Sequence, residues 1–267
     1  MTRREAFTTL LGAPALLAQS SQKEKKGREL FEATLQAVGG AAFLGMQDRT
    51  ESGRAYSFYR DRLTGLARAT IYTRYLTAPT TPEPNKVYQR ERQAFGKDKD
   101  YAILFDEEKG YSITFRGAQP LPDANLTRYR ESTRRNFFYI LHQRRQEPGL
   151  ILEHQGAKVF ENAPVDVLDI TDSENVTVSV MIHQSTKLPI RQVFYRRDPV
   201  TRDRLEEVTL FNKYRDVSGV QWPWSITRFR NGEKIFEIFS DSVTVNSGLS
   251  DQLFTLPADM KVLPPPK

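Results

Sequence analysis

Residues 176–245 read VTVSVMIHQSTKLPIRQVFYRRDPVTRDRLEEVTLFNKYRDVSGVQWPWSITRFRNGEKIFEIFSDSVTV, and their pattern predicts five strands joined by short turns. Val178, Val180 and Ile182 alternate with Thr177, Ser179, Met181 and His183, as in a strand that buries one face. Asn231-Gly232 separates two apolar runs, and both residues tolerate positive φ, so this pair predicts a tight hairpin. The stretch therefore predicts an antiparallel meander.

Several of these strands carry apolar residues on both faces. Ile190 and Phe194 lie on the face opposite Val193 and Tyr195, whereas a flat sheet with one solvated face alternates more cleanly. This pattern favours a strongly curled sheet with one or two helices against it. The enclosed space is either a cavity or a solid core, and the pattern alone does not separate the two.

The rest of the chain predicts two helices and further strands around the meander. Apolar residues three to four positions apart predict helices over 23–38 and 126–146, and the second helix is rich in arginine. Three prolines within 78–85 predict a loop, because proline fixes φ and lacks a backbone donor. Strands are predicted within 49–76, 86–93 (mostly polar, at a sheet edge), 101–115, 151–161 and 165–170.

The composition narrows the classes of function. The 267 residues include 39 basic and 33 acidic side chains, a formal charge of +6 that suits a soluble surface. The dense basic spots, Arg134-Arg135 and Arg144-Arg145, lie in one predicted helix among apolar residues, so nucleic acid is not an expected partner. Cysteine is absent, which excludes disulfides, thiolate sites and a lipid-modified N-terminal cysteine.

The N-terminus has the pattern of a cleavable export signal. Arg3-Arg4 precedes an apolar run from Leu10 to Ala18, which is too short to cross a bilayer, and a polar segment follows. The paired arginines resemble a twin-arginine leader. We therefore expect an exported, periplasmic protein that is soluble and not lipid-anchored.

No motif in the chain predicts catalysis or metal binding. The three histidines, His142, His154 and His183, are far apart in sequence, and no nucleophile elbow or phosphate-binding loop occurs. Residues 169–175 are acidic but lack the glycine and the spacing of a calcium loop, so a solvated turn is expected. The sequence thus predicts no enzyme, no catalytic residues, no metal site and no cofactor.

Four segments resemble the outer-membrane lipoprotein-sorting superfamily, which includes the periplasmic lipoprotein carrier and its outer-membrane acceptor. These are KLPIR at 187–191, YRDVSGVQWPWSITR at 214–228, NGEK at 231–234 and LSDQLF at 249–254. The resemblance implies an α+β, mainly β fold: a single curled, half-open antiparallel sheet (an incomplete barrel) with helices over its concave face. It also implies a cavity that holds acyl chains, and the absence of cysteine favours the soluble carrier over the anchored acceptor.

These expectations divide the chain into an export signal at 1–22, a single lipoprotein-carrier-like domain at 23–260 and a proline-rich tail at 261–267. For each candidate ligand-binding residue, packing in a solid core is the alternative role. The candidates are Val178, Val180, Phe194, Leu210, Trp222, Trp224 and Ile226 on the sheet, with Phe137 and Leu141 as the face of a helical lid.

The leading hypothesis is that the exported protein binds or shuttles a lipid or a lipoprotein acyl chain between sheet and helices. The alternative is an envelope interaction or sensor domain without lipid, in which the arginines of the second helix meet an anionic partner at a membrane surface or on another protein. A third hypothesis is a hydrolase whose carboxylates include Asp169 or Asp172.

Overall fold

The computed structural model describes residues 13–79, 83, 85–198 and 201–266 and shows one large antiparallel sheet, with most of its helical segments on one face and a C-terminal 3₁₀ turn against the other. The helical segments are α1 (Ala13–Val38), α2 (Ala41–Leu44), α3 (Asp123–Arg134), α4 (Phe137–Tyr139), a π-helical turn (Ile140–Arg144) and a 3₁₀ turn (Asp251–Phe254). The strands are β1 (Asp48–Tyr59), β2 (Arg62–Tyr75), β3 (Gln89–Phe95), β4 (Tyr101–Phe105), β5 (Gly110–Thr114), β6 (Gly117–Pro120), β7 (Ile151–Phe160), β8 (Ala163–Thr171), β9 (Thr177–His183), β10 (Pro189–Arg197), β11 (Arg204–Val217), β12 (Val220–Arg230) and β13 (Glu233–Val245).

The sheet consists of two meanders that join through β1 and β13. The strand order is β6-β5-β4-β3-β2-β1-β13-β12-β11-β10-β9-β8-β7, and Arg49 of β1 lies opposite Val245 of β13. The five strands predicted from residues 176–245 are β9 to β13. Because β6 and β7 do not pair, the sheet stays open, and the predicted curled, half-open fold is confirmed.

The C-terminal segment covers the edge strand β6. Ala118 N–H donates to the Lys261 carbonyl at 2.9 Å, and Leu263 N–H donates to the Ala118 carbonyl at 2.8 Å. Val262 thereby forms a parallel bridge with Ala118. The residues predicted as a tail thus satisfy backbone groups that an exposed edge would leave free for other chains.

Helix α1 packs against the other edge strand, β7. It begins at Ala13, ten residues before the predicted start, and the first twelve residues, which hold most of the predicted signal, lie outside the described residues. Gly27 permits the close approach, because a Cβ there would lie 2.3 Å from the Leu152 carbonyl oxygen. Phe31 and Leu35 are buried in the main core. None of the described helices combines the length and hydropathy needed to cross a membrane.

The second helix is not continuous, in contrast to the single helix predicted over 126–146. Helix α3 ends at Arg134, and Asn136 adopts an extended conformation that starts a new helical segment. The Asn136 side chain accepts hydrogen bonds from the N–H groups of Phe138 at 3.0 Å and Tyr139 at 3.3 Å. This N-cap interrupts the helix although its apolar periodicity continues.

Two of the arginines in this segment are buried, although the alternative hypothesis would have them meet an anionic partner. Arg144 donates from Nε and Nη2 to the Glu147 carboxylate at 2.5 and 2.9 Å. Its Nη2 also donates to Asp172 Oδ2 at 3.1 Å, and its Nη1 donates to the Arg134 carbonyl at 2.7 Å. Arg134 is itself 7% exposed. These groups tie the lid segment to the turn between β8 and β9.

Candidate ligand cavity

A cavity of about 490 Å³ lies between the concave face of the sheet and helices α3 and α4. Its walls come from β1, β2 and β3 on one side and from β10 to β13 on the other. Along a strand, successive side chains point to opposite faces, so the lining recurs at every second residue. The alternation is clear for Gln89, Glu91 and Gln93 on β3.

The middle of the cavity is apolar. Phe211, Ile226 and Ile238 lie opposite one another on β11, β12 and β13. The ring of Phe138 on α4 meets them from the lid, with its centroid 5.1 Å from that of Phe211 and 4.9 Å from that of Trp222. This zone has the character of a site for a hydrocarbon group.

The inner end of the cavity holds a buried arginine with several partners. Arg49 donates from Nη1 to the Tyr75 hydroxyl and from Nη2 to Thr73 Oγ1, each at 3.2 Å. Its Nε lies 3.9 Å from Glu51 Oε2, and its guanidinium carbon lies 4.0 Å from the centre of the Trp222 ring. The charge of Arg49 is thus offset by a carboxylate and by the face of an aromatic ring.

A second carboxyl group, Glu91, lies near this inner end. It accepts hydrogen bonds from Gln93 Nε2 at 2.5 Å and from Gln89 Nε2 at 3.3 Å. Loss of hydration raises the pKa of Glu91, although the hydrogen bond from Gln93 acts in the opposite direction. The inner end therefore has two carboxyl groups and one guanidinium group, and it is a poor place for a further anion.

The outer end of the cavity, here called the arginine mouth, is lined by Arg128, Arg196, Arg228, Arg230 and Glu207. Glu207 Oε1 accepts hydrogen bonds from Arg196 Nε at 2.8 Å and from Arg230 Nε at 2.9 Å. Arg128 and Arg228 are exposed at the rim and have no hydrogen bond or ion pair to any described residue. Loss of hydration, followed by repulsion from Arg230 and Arg196, lowers the pKa of Arg128.

The structure separates the nine residues predicted to bind ligand into two groups. Phe194, Trp222 and Ile226 line the cavity, and the other six do not. Leu210 lies between the lining residues Thr209 and Phe211 and therefore points to the opposite face. The remaining five belong to the main core or pack against it: Val178, Val180, Phe137, Leu141 and Trp224.

The charged lining was missed by the sequence analysis. Strand β3 was expected at a sheet edge because it is polar, but it lies between β2 and β4 and directs Gln89, Glu91 and Gln93 into the cavity. Arg228 and Arg230 continue the face of Ile226 at two-residue spacing. The two-residue spacing indicates that these arginines share the face of Ile226, but the predicted binding residues include only the apolar members of that face.

Two of the residues singled out in the sequence, His142 and Asp172, have local structural partners. His142 packs between Phe43 and Tyr75, with ring centroids 5.4 and 4.4 Å away, and loss of hydration lowers its pKa to about 4. Asp172 Oδ1 accepts hydrogen bonds from the N–H groups of Glu174 and Val176. Within the described ranges, no three side chains of His, Asp or Glu form a group that could hold a metal ion.

No protein-family model and no curated protein sequence matches the chain. Solved structures do match. A domain described as an outer membrane lipoprotein-sorting protein from Vibrio parahaemolyticus is 12% identical, has a TM-score of 0.56, and the match covers 86% of this chain and 97% of that one. A DUF1329 family protein from Desulfovibrio piger is also 12% identical, with a TM-score of 0.58 and coverage of 87% and 97%.

A LolA superfamily protein from Nitrosomonas europaea gives a similar result, with 12% identity, a TM-score of 0.53 and coverage of 86% and 97%. The chain therefore shares its fold with lipoprotein-sorting and LolA superfamily structures, and the resemblance predicted from residues 187–254 is confirmed for the fold. At this identity the similarity does not assign a role to any residue.

Proposed function

We propose that this chain is an exported protein that binds the acyl part of a lipid or of a lipoprotein in the cavity between sheet and helices. The observation that carries the proposal is the apolar middle zone beneath Phe138. The cavity volume of about 490 Å³ falls within the range of roughly 300–1,000 Å³ that ligand sites occupy. Burial of hydrocarbon contributes ~0.8 kcal/mol per methylene, so such a zone binds a chain without directed chemistry.

The dimensions of the cavity suit one acyl chain. Trp222 and Arg228 mark the inner and outer ends on β12, and six residues of extended strand span about 20 Å. One leaflet of a bilayer has a hydrocarbon thickness of roughly 15 Å, half of the ~30 Å core. A single chain taken from a leaflet therefore fits along the strand direction.

Two alternatives have less support. The interaction domain without lipid needs exposed arginines on the second helix, and two of the six arginines there, Arg134 and Arg144, are buried in the lid, while Arg128 lines the cavity. The hydrolase hypothesis relied on Asp169 and Asp172, and neither residue lines the cavity. We therefore propose that the chain acts by binding and transfer and not by catalysis.

The test is ligand binding with a cavity-filling variant and a matched control. Ile226→Trp places a large ring in the middle zone, and Leu210→Trp places the same ring on the opposite face of the neighbouring strand. We expect the neutral apolar probe N-phenylnaphthylamine to bind the wild type and Leu210→Trp, and to bind Ile226→Trp at least about tenfold more weakly. Equal binding by both variants, or no binding by the wild type, would contradict the proposal.

Export is tested separately, because the first twelve residues lie outside the described part of the chain. The full chain is expressed with its N-terminus intact, and the mature N-terminus is sequenced from the periplasmic fraction. We expect cleavage near residue 22 and loss of export when Arg3 and Arg4 are both replaced by lysine. Retention of the uncleaved chain in the cytoplasm by the wild type would refute export.

A further inference from the structure

The arginine mouth carries more positive charge than the described residues around it neutralise. Four guanidinium groups line the mouth, and the one carboxylate among the lining residues there, Glu207, already accepts hydrogen bonds from Arg196 and Arg230. Arg128 and Arg228 form no ion pair within 4 Å in the described chain, and Glu207 and Glu91 attract them only at longer range. Like charges held together in this way destabilise the protein unless an anion compensates them.

The geometry leaves donors available to a ligand. Arg196 and Arg230 each use Nε toward Glu207, and none of the hydrogen bonds between described residues involves their Nη atoms. A guanidinium group binds phosphate or carboxylate through two parallel hydrogen bonds. Arg128 approaches from helix α3, while Arg196, Arg228 and Arg230 approach from the sheet, so the donors surround the opening from two sides.

The mouth is continuous with the apolar zone. The guanidinium carbon of Arg228 lies 5.6 Å from the centre of the Phe236 ring, and Phe194 lies directly opposite Glu207 in the sheet. Both aromatic residues line the cavity. A ligand with its chain in the middle zone would therefore place its polar end among the arginines.

We propose that the arginine mouth binds the anionic headgroup, a phosphate or a carboxylate, of an amphiphile whose chain occupies the cavity. This inference rests on the proposed function and adds the ligand class to it. The lowered pKa of Arg128 agrees with it, because a bound anion would relieve the repulsion from Arg196 and Arg230. The binding of such a ligand should weaken with salt at the exposed rim.

The experiment compares amphiphiles that have the same chain and different headgroups. The full chain is titrated with hexadecyl phosphate, palmitate and neutral hexadecanol, each as a displacer of N-phenylnaphthylamine. We expect both anions to bind at least about tenfold more tightly than hexadecanol, because hydrogen bonds between a guanidinium group and an anion are stronger than those to a neutral hydroxyl group. Inorganic phosphate alone should not displace the probe and should compete with hexadecyl phosphate only weakly.

The variants locate the site. Arg128→Gln with Arg228→Gln should remove most of the preference for the anions over hexadecanol, measured relative to the probe affinity of the same variant, and Arg128→Lys should retain part of it. Arg54→Gln is the control, since Arg54 is exposed on β1 and does not line the cavity. An unchanged preference in the double variant would overturn the inference. Binding of inorganic phosphate as tight as that of hexadecyl phosphate would also overturn it, because the anion site would then serve free phosphate.

The two proposals fail in different ways. Without probe binding by the wild type, the acyl cavity itself is refuted. If the probe binds but hexadecanol competes as well as the two anions, the cavity stands and only the headgroup site is refuted.

Discussion

Replacing Arg144 by methionine should destabilise the protein more than any single change at its surface. The Arg144 side chain is 4% exposed and makes two hydrogen bonds to Glu147, one to Asp172 and one to the Arg134 carbonyl. Methionine has a similar length and no charge. It would leave the carboxylates of Glu147 and Asp172, which are 9% and 8% exposed, without their main partner.

The magnitude follows from the burial of this network. Breaking a buried ion pair by removing one partner costs about 3–5 kcal/mol, because the remaining charge stays desolvated. For a chain of this length, each kcal/mol lowers the melting temperature by roughly 2 °C, so Arg144→Met should lower it by about 6–10 °C. The melting temperature of Arg144→Lys should lie between those of the wild type and Arg144→Met, because an ammonium group keeps the charge but cannot form the bidentate pair with Glu147.

The assay is urea unfolding followed by far-ultraviolet circular dichroism, with Arg145→Met as the control. Arg145 is only partly buried, and none of the hydrogen bonds or ion pairs between described residues involves it, so its replacement should change the unfolding free energy by less than ~0.5 kcal/mol. A double-mutant cycle of Arg144→Met with Asp172→Asn should show a coupling of at least about 1 kcal/mol. If Arg144→Met lowers the free energy of unfolding by less than ~1 kcal/mol, the ion pairs of Arg144 do not hold the lid segment to the sheet and the reasoning is refuted.

Three further substitutions test other parts of the fold. Burial opposes ionisation of Asp48, but hydrogen bonds from the N–H groups of residues 247–249 prevail and lower its pKa. The ionised Asp48 therefore stabilises the folded protein above about pH 4, and this contribution is lost as the pH falls through the lowered pKa. Asp48→Asn should therefore lower the melting temperature at pH 7 and lessen its fall below about pH 4; an unchanged acid profile would contradict this. Loss of hydration raises the pKa of Glu91, so its ionised form opposes folding. Glu91→Gln should therefore raise the melting temperature at pH 7, and the difference from the wild type should vanish below about pH 4. A melting temperature below that of the wild type at pH 7 would contradict this prediction. Gly27→Ala should lower the free energy of unfolding by about 1–3 kcal/mol, because the added Cβ would separate α1 from β7. Gly65→Ala should change it little, because a Cβ there would lie 3.6 Å from Ser57 Cβ, an ordinary contact distance. Similar losses for the two variants would refute the close packing of α1.

The sheet could be predicted from the sequence because its signals are local. Alternation in β9 and the Asn231-Gly232 turn before β13 each depend on residues that are neighbours in the chain. The break in the second helix has a local signal too, the N-cap Asn136. It was overlooked because Phe137 and Leu141 continue the apolar spacing of the preceding helix.

The cavity could not be predicted in the same way. A side chain that lines a cavity and one that fills a core follow the same strand period, so Trp222 and Val180 carry the same signal. The distinction depends on how far the lid lies from the sheet, and that distance is set by contacts between residues remote in sequence, such as Arg144 and Asp172. The same ambiguity affects polar residues: those of β3 line the cavity, but a polar cavity wall and an exterior surface favour the same residue types.

The distribution of charge along the cavity also fixes the direction in which an anionic amphiphile would enter. The inner end presents Glu51 and Glu91 with one guanidinium group, whereas the outer end presents four guanidinium groups with one carboxylate. A ligand that entered headgroup first would bring its anion to two carboxyl groups and leave the arginine mouth uncompensated. We therefore expect the chain terminus near Trp222 and the headgroup at Arg228.

This orientation can be measured through Trp222, because the chain has only two tryptophans and Trp224→Phe leaves Trp222 as the sole emitter. Trp222 lies at the inner end beside Arg49, whose guanidinium carbon is 4.0 Å from the centre of the Trp222 ring. A fatty acid brominated at its terminal methyl group should quench Trp222 strongly, and one brominated beside the carboxylate should quench it little. The reverse order would place the headgroup at the inner end, against two carboxyl groups, and would show that charge does not govern how this cavity is filled.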